Sequence, residues 1–138
     1  MVNQRFAFAV HIMTVLAYSR EVIDSSTIAT SVNTNPVVVR RLLLALRSAG
    51  LVETRPGKHG GAKLKKDPKR ISALDIYDAV EPRPVIAISQ RKSLKSCPVS
   101  CSMQQIMDHV SKGAEHAMRA HLRSITLDKL VSRIIDLR

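Results

Sequence analysis

The sequence predicts a mainly α fold with a small β-wing: a winged helix-turn-helix plus a long C-terminal dimerisation helix. Three observations predict it. The segment Asn35-Pro-Val-Val-Val-Arg-Arg-Leu-Leu-Leu-Ala-Leu-Arg-Ser-Ala-Gly50 carries helical apolar spacing, opens on an Asn-Pro pair and stops at a glycine. Two short β-prone runs follow it, around the glycine-broken basic loop Pro56-Gly-Lys-His-Gly-Gly61. A second amphipathic stretch, from Pro98 to about Arg123, lies beyond the break Glu81-Pro-Arg-Pro84.

The first helix is expected from about Gln4 to Ser19, where Phe6, Val10, Met13 and Ala17 recur at helical spacing. Phe8, Ile12, Val15 and Leu16 widen that apolar surface, which suits a helix covered on more than one side, in part by a second subunit. Glu21–Asp24 is a connector, and Ser25 or Ser26 caps a second helix that turns Ile28, Ala29 and Val32 inward. Asn33-Thr34-Asn35 interrupts it. Asn35 is a suitable N-cap for the third helix, and Pro36 a suitable first residue because its missing N–H has no partner to lose there. Val39, Leu42, Leu43 and Leu46 form the inward stripe, and Gly50 ends the helix. Strands are expected at Leu51–Arg55 and Ala62–Lys65, with Pro56–Gly61 as the wing tip. Ser72 and Asp75 form a capping box for a helix reaching Val80. Val85–Ile88 fits a short strand or an extended segment, and Gln90–Ser96 is polar and basic. The long helix carries the stripe Ile106, Val110, Ala114, Ala117, Met118 and Leu122, and Thr126 caps a last short helix. This divides the chain into a winged DNA-binding domain at 1–82, a linker at 83–97, and the dimerisation and C-terminal helices at 98–138.

The net charge is +11, and residues 40–70 account for eight of it, with ten basic side chains against Glu53 and Asp67. So local a cation cluster suits a polyanion. Aromatic residues are only 3% and tryptophan is absent, which disfavours single-strand and RNA binding, where bases stack on aromatic rings. Double-stranded DNA is the expected partner, with a non-specific basic nucleic-acid-binding protein as the alternative. No apolar run approaches the roughly 18 residues of a membrane span, and the start does not read as a signal peptide, so a cytoplasmic location is expected. There is no phosphate loop, no nucleophile–base motif and no paired-carboxylate pattern, so no enzymatic activity is expected.

A helix lying in the major groove reads base edges with residues near its N-terminus. Here these are Asn35, Val37, Val38, Arg40 and Arg41, with Thr34 just before them as a phosphate contact. Arginine bonds guanine in bidentate fashion or holds a phosphate, and valine packs on a thymine methyl. Arg47, near the helix end, fits either DNA or the helix dipole. On the wing, Lys58 and His59 sit between glycines and Lys63 follows, placed for the minor groove or the phosphates.

The run Ser31-Val-Asn-Thr-Asn-Pro-Val-Val-Val-Arg-Arg41, Leu46-Arg-Ser-Ala-Gly-Leu-Val52, the glycine wing, Ile71-Ser-Ala-Leu-Asp-Ile-Tyr-Asp-Ala-Val80, Cys97-Pro-Val99 and the long helix resembles the Rrf2 family of winged-helix repressors. That family includes IscR, NsrR and CymR, and the resemblance is nearest to its YwnA-like branch. It implies a homodimer with crossed long helices that binds an imperfect palindrome and represses. Members of the family that sense iron–sulphur clusters carry three cysteines around the start of the long helix. This chain has only Cys97 and Cys101, and its wing reads Pro-Gly-Lys-His-Gly-Gly in place of their Gly-Pro-Gly-Gly-Gly, so no cofactor is expected.

Cys97 and Cys101 flank the start of the long helix, where an anionic sulphur is stabilised and Lys92 and Lys95 add positive charge. Three roles fit them: inert or structural thiols, a redox or electrophile switch, or ligands of a metal or cluster. The last needs further donors, since two sulphurs do not close a site. His109 and His116 share a helix face, but each reads more simply as a solvated or core histidine, as do His11 and His121. No metal site is therefore expected.

Overall fold

A computed structural model describes residues 3–138. The chain runs α1 (Arg5–Ser19), α2 (Ser25–Val32), α3 (Pro36–Ser48), β1 (Val52–Arg55), β2 (Gly61–Leu64), a single 3₁₀ turn (Pro68–Arg70), α4 (Ala73–Val80), α5 (Pro98–Arg123) and α6 (Leu127–Asp136). Chain contacts group it into two units.

The first unit ends at Pro82 and takes in Leu122–Arg138 as well. Its core joins Ile12, Met13 and Leu16 of α1, Ile28 of α2, Val39 and Leu46 of α3, and Ile76 and Val80 of α4, all nearly solvent-free. Phe6 stands edge-on to Tyr77 at 5.4 Å, tying α1 to α4. Thus much of the broad apolar surface of α1 is covered within its own chain.

The caps follow the sequence with two exceptions. The Ser72–Asp75 capping box forms in both directions, at 3.1 and 2.9 Å. At α2, however, Asp24 is the N-cap rather than Ser25 or Ser26. Its carboxylate accepts from the Thr27 N–H and hydroxyl, both at 2.8 Å. Aspartate offers two acceptor oxygens and serine only one. The Thr27 backbone and hydroxyl bonds hold the Asp24 carboxyl below its ordinary 3.8. Because that value is depressed on folding, the contribution is present at neutral pH and fades as acid protonates the group. At α6, the Thr126 hydroxyl donates to the Asp128 carboxylate instead of accepting a backbone N–H.

The wing is a two-stranded antiparallel sheet with Glu53 opposite Lys63 and Thr54 opposite Ala62. The connector contributes a third, one-residue edge: Ile23 and Ala62 exchange backbone bonds at 3.0 and 2.8 Å. Gly61 sits at φ +151°, and a Cβ there would press on the Ile23 carbonyl. Gly61→Ala is expected to cost about 1–3 kcal/mol of stability, seen as a lower thermal midpoint. An unchanged midpoint would show that the wing is not pinned at this bridge.

The division at residue 98 requires correction. The sequence grouped 98–138 as one part, but α6 belongs with the winged unit. Leu127 is 1% exposed in the core shared with α1, α2, α3 and α4, and its N–H bonds Ile71 O at 2.8 Å. Ala73 N–H bonds Ile125 O at 2.7 Å, and Arg138 reaches the Tyr18 hydroxyl at 2.7 Å. An amphipathic helix needs a cover for its apolar stripe, and here the winged core supplies it.

The second unit, Arg83–His121, holds the linker and most of α5. Val85–Ile88 forms no strand; within it, the Ile86 carbonyl accepts from the Ser111 hydroxyl at 3.4 Å. None of the described helices is long and apolar enough to cross a membrane.

Candidate nucleic-acid interface

The interface is built on α3. The Asn35 Oδ1 accepts from the Val37 N–H at 2.8 Å, and Pro36 opens the first turn. At the far end the Leu51 N–H bonds Leu46 O at 3.0 Å and the Gly50 N–H bonds Arg47 O at 2.9 Å, the paired closure of a helix ending in glycine. Gly50 takes φ +77°, and the buried Leu46 and Leu51 join the core beneath it. Both ends are thus anchored by local chemistry.

Between the anchors the helix is two-sided. Val39, Leu42, Leu43 and Leu46 face the core. Val37, Arg40, Arg41, Leu44, Arg47 and Ser48 are exposed, and at about 100° per residue they fall within roughly a third of the circumference. Val38 does not share this face. It is half-buried and packs against the core, because it lies one residue, a quarter turn, off the outward stripe. Thr34 is half-buried at the α2–α3 turn, its N–H bonded to Ala29 O at 3.0 Å. Asn35 is exposed, and its side-chain oxygen is committed to the cap, so a base edge would meet its amide nitrogen.

A cleft of about 360 Å³ runs between α3 and the wing, lined by Arg40, Leu43, Leu44, Arg55 and the wing glycines, with Asp24 and Ser25 at one wall. Lys58 and His59 are exposed at the wing tip, where Gly57 adopts φ +94° and the Gly60 N–H closes on Gly57 O at 3.0 Å. Lys63 is placed otherwise than expected: its ammonium pairs with Glu53 across the strands at 2.9 Å. That hydrogen bond, and then the charge behind it, holds the Glu53 carboxyl below the usual range, with Arg55 and Lys65 pulling the same way. Lys63 therefore serves the wing's own strand pairing first.

Two members of this face escaped the sequence reading. Leu44 was hidden in the run Leu42-Leu43-Leu44, yet three successive helical residues cannot all face one core. Its spacing of seven from Val37 is the signal that places it outward. Arg55 was counted as charge, but it reaches the cleft because β1 ends there.

Cys97 and Cys101 lie in the second unit, away from this face in sequence and free of disulfide. Cys97 is half-buried, and its sulphur accepts the Ser100 N–H at 3.4 Å. Cys101 is exposed, and its thiol donates to Leu94 O at 3.4 Å. Among the described residues no group of three or more His, Cys, Asp or Glu side chains is arranged to hold a metal ion.

A capped helix with an arginine-rich outer stripe, set beside a cationic β-wing, defines a winged-helix DNA-binding protein. Comparison with known proteins agrees. The chain matches the Rrf2 family, described as "Iron-dependent Transcriptional regulator", over residues 2–133. The HTH-type transcriptional regulator YwnA of Bacillus subtilis (strain 168) is 37% identical over 134 residues, covering 97% of this chain and 99% of YwnA. A crystal structure of a DNA-binding protein, 39% identical, superposes with a TM-score of 0.72 over 91% of this chain and 97% of that one. CymR (YrzC), the global cysteine regulator of B. subtilis, is 25% identical with a TM-score of 0.67, over 96% and 97%. The chain belongs to the Rrf2 family of transcriptional regulators.

Proposed function

We propose that this regulator is a homodimeric, sequence-specific repressor that occupies a two-fold DNA site and performs no catalysis. The observation that carries the reading is the outward stripe of α3, where Val37, Arg40, Arg41 and Leu44 stand exposed and Arg40 and Leu44 share a cleft with Arg55 of the wing. Such a stripe presents both base-reading and phosphate-holding chemistry to one groove. The second copy is argued from α5. Val99, Met103, Ile106 and Val110 are 63%, 40%, 50% and 48% exposed, and they repeat at spacings of four, three and four. That is the seam of a coiled coil, which a copy of the same helix covers. Two recognition helices related by a dyad call for a two-fold site, and occupancy of such a site blocks transcription across it.

Competition binding tests the reading. Labelled duplexes selected from a random pool should be held far more tightly than bulk duplex at physiological salt. Equal affinity for every duplex would instead identify a non-specific basic DNA-coating protein. For control of binding, we favour the thiol pair at the start of α5, Cys97 and Cys101, over a cofactor. Reduced protein, peroxide-treated protein and Cys97→Ser should differ in affinity for the selected duplex. Three identical affinities would remove the thiols from regulation.

A further inference from the structure

Val37 and Leu44 are the large apolar side chains left exposed on α3, at 43% and 61%. Neither exposure comes from a fraying end, since the Asn35 cap and the Gly50 closure bracket both residues. The core does not need them, because Val39, Leu42, Leu43 and Leu46 already fill it from this helix. Yet they share their side of the helix with the exposed Arg40, Arg41 and Arg47. Leu44 lines the cleft with Arg40 and Arg55, and Arg40 and Arg41 lie between the two apolar residues in sequence.

An apolar side chain gains nothing from a phosphate. In the major groove the one apolar group a base pair offers is the C5 methyl of thymine. Seven residues are two helical turns, about 10.5 Å. At about 3.4 Å per base pair this spans about three pairs. We infer that Val37 and Leu44 read two thymine methyl groups about three base pairs apart in each half-site, with Arg40 and Arg41 serving the guanines or phosphates between them. The inference rests on the sequence-specific reading above and gives it a chemical content: the preferred duplex is defined in part by two methyl groups.

Deoxyuridine in place of thymidine removes only that methyl, so the test is direct. A duplex selected by the full-length protein is remade with each thymine of one half-site changed singly to uracil, and each Kd is measured. Two positions, about three pairs apart, should lose about three- to tenfold in affinity, the scale of one buried methyl. Leu44→Ala should abolish the uracil penalty at one of them and Val37→Ala at the other, while leaving the second penalty in place. Both residues are exposed and alanine favours helix, so folding should persist, checked by the far-ultraviolet helix signal. The inference is overturned if no uracil weakens binding, or if the penalties survive in both variants. A protein that selects no duplex at all gives a different failure: it removes the sequence-specific reading, and the inference with it.

Discussion

Arg41→Ala is expected to weaken binding to the preferred duplex by about 1–3 kcal/mol and to relax discrimination at one base position, if this arginine reads a base edge. The side chain is exposed on α3, on the flank of the stripe opposite Arg40, in the second turn after the Asn35 cap. It has no part in the core, so the loss should appear in binding and not in the thermal midpoint. Lys58→Ala gives the contrasting result. Lys58 stands exposed at the wing tip between turn residues, and the proposed function gives it a phosphate as partner. Its loss should lower affinity for all duplexes alike and reduce the salt slope by about one unit. Titrations of both variants at three salt concentrations, on preferred and random duplex, separate the two roles. If both variants weaken every duplex equally, Arg41 holds a phosphate and the base reading passes to Arg40.

Leu127→Ala should destabilise the winged unit by about 2–5 kcal/mol, the cost of truncating a buried leucine. The side chain is 1% exposed among core residues drawn from α1 to α4, and its N–H is bonded to Ile71 O. Urea denaturation followed by the helix signal measures this. The alternative that the sequence suggested, an α6 grouped with the long helix, predicts that the variant changes association but leaves the winged unit's stability alone. A midpoint shift that does not depend on protein concentration decides for the intrachain core.

The core of α3 was legible because its signals are local. Asn35, Pro36 and Gly50 act on their own neighbours within a turn, and the apolar period needs no partner to be seen. The Ser72–Asp75 box is similar, as is the glycine wing. Less legible were choices between adjacent candidates. Asp24 outcompetes Ser25 and Ser26 as a cap by accepting two bonds at once. Lys63 looked available until the strand register set Glu53 beside it. Val38 turned from the expected outer face toward the core, and Leu44 stands outward, because a difference of one position turns a side chain by about 100°.

The sequence by itself determined most of the element types, both ends of α3 and the basic character of its outer face. Each follows from residue chemistry acting over a few positions. The tertiary structure alone decided which surfaces meet across long stretches of chain. It brought Ile23 to Ala62 as the third edge of the wing. It also returned α6 to the core of the first unit through Leu127. Such contacts join segments some 40 to 120 residues apart, and an apolar stripe in a sequence states that it needs a cover without stating which one.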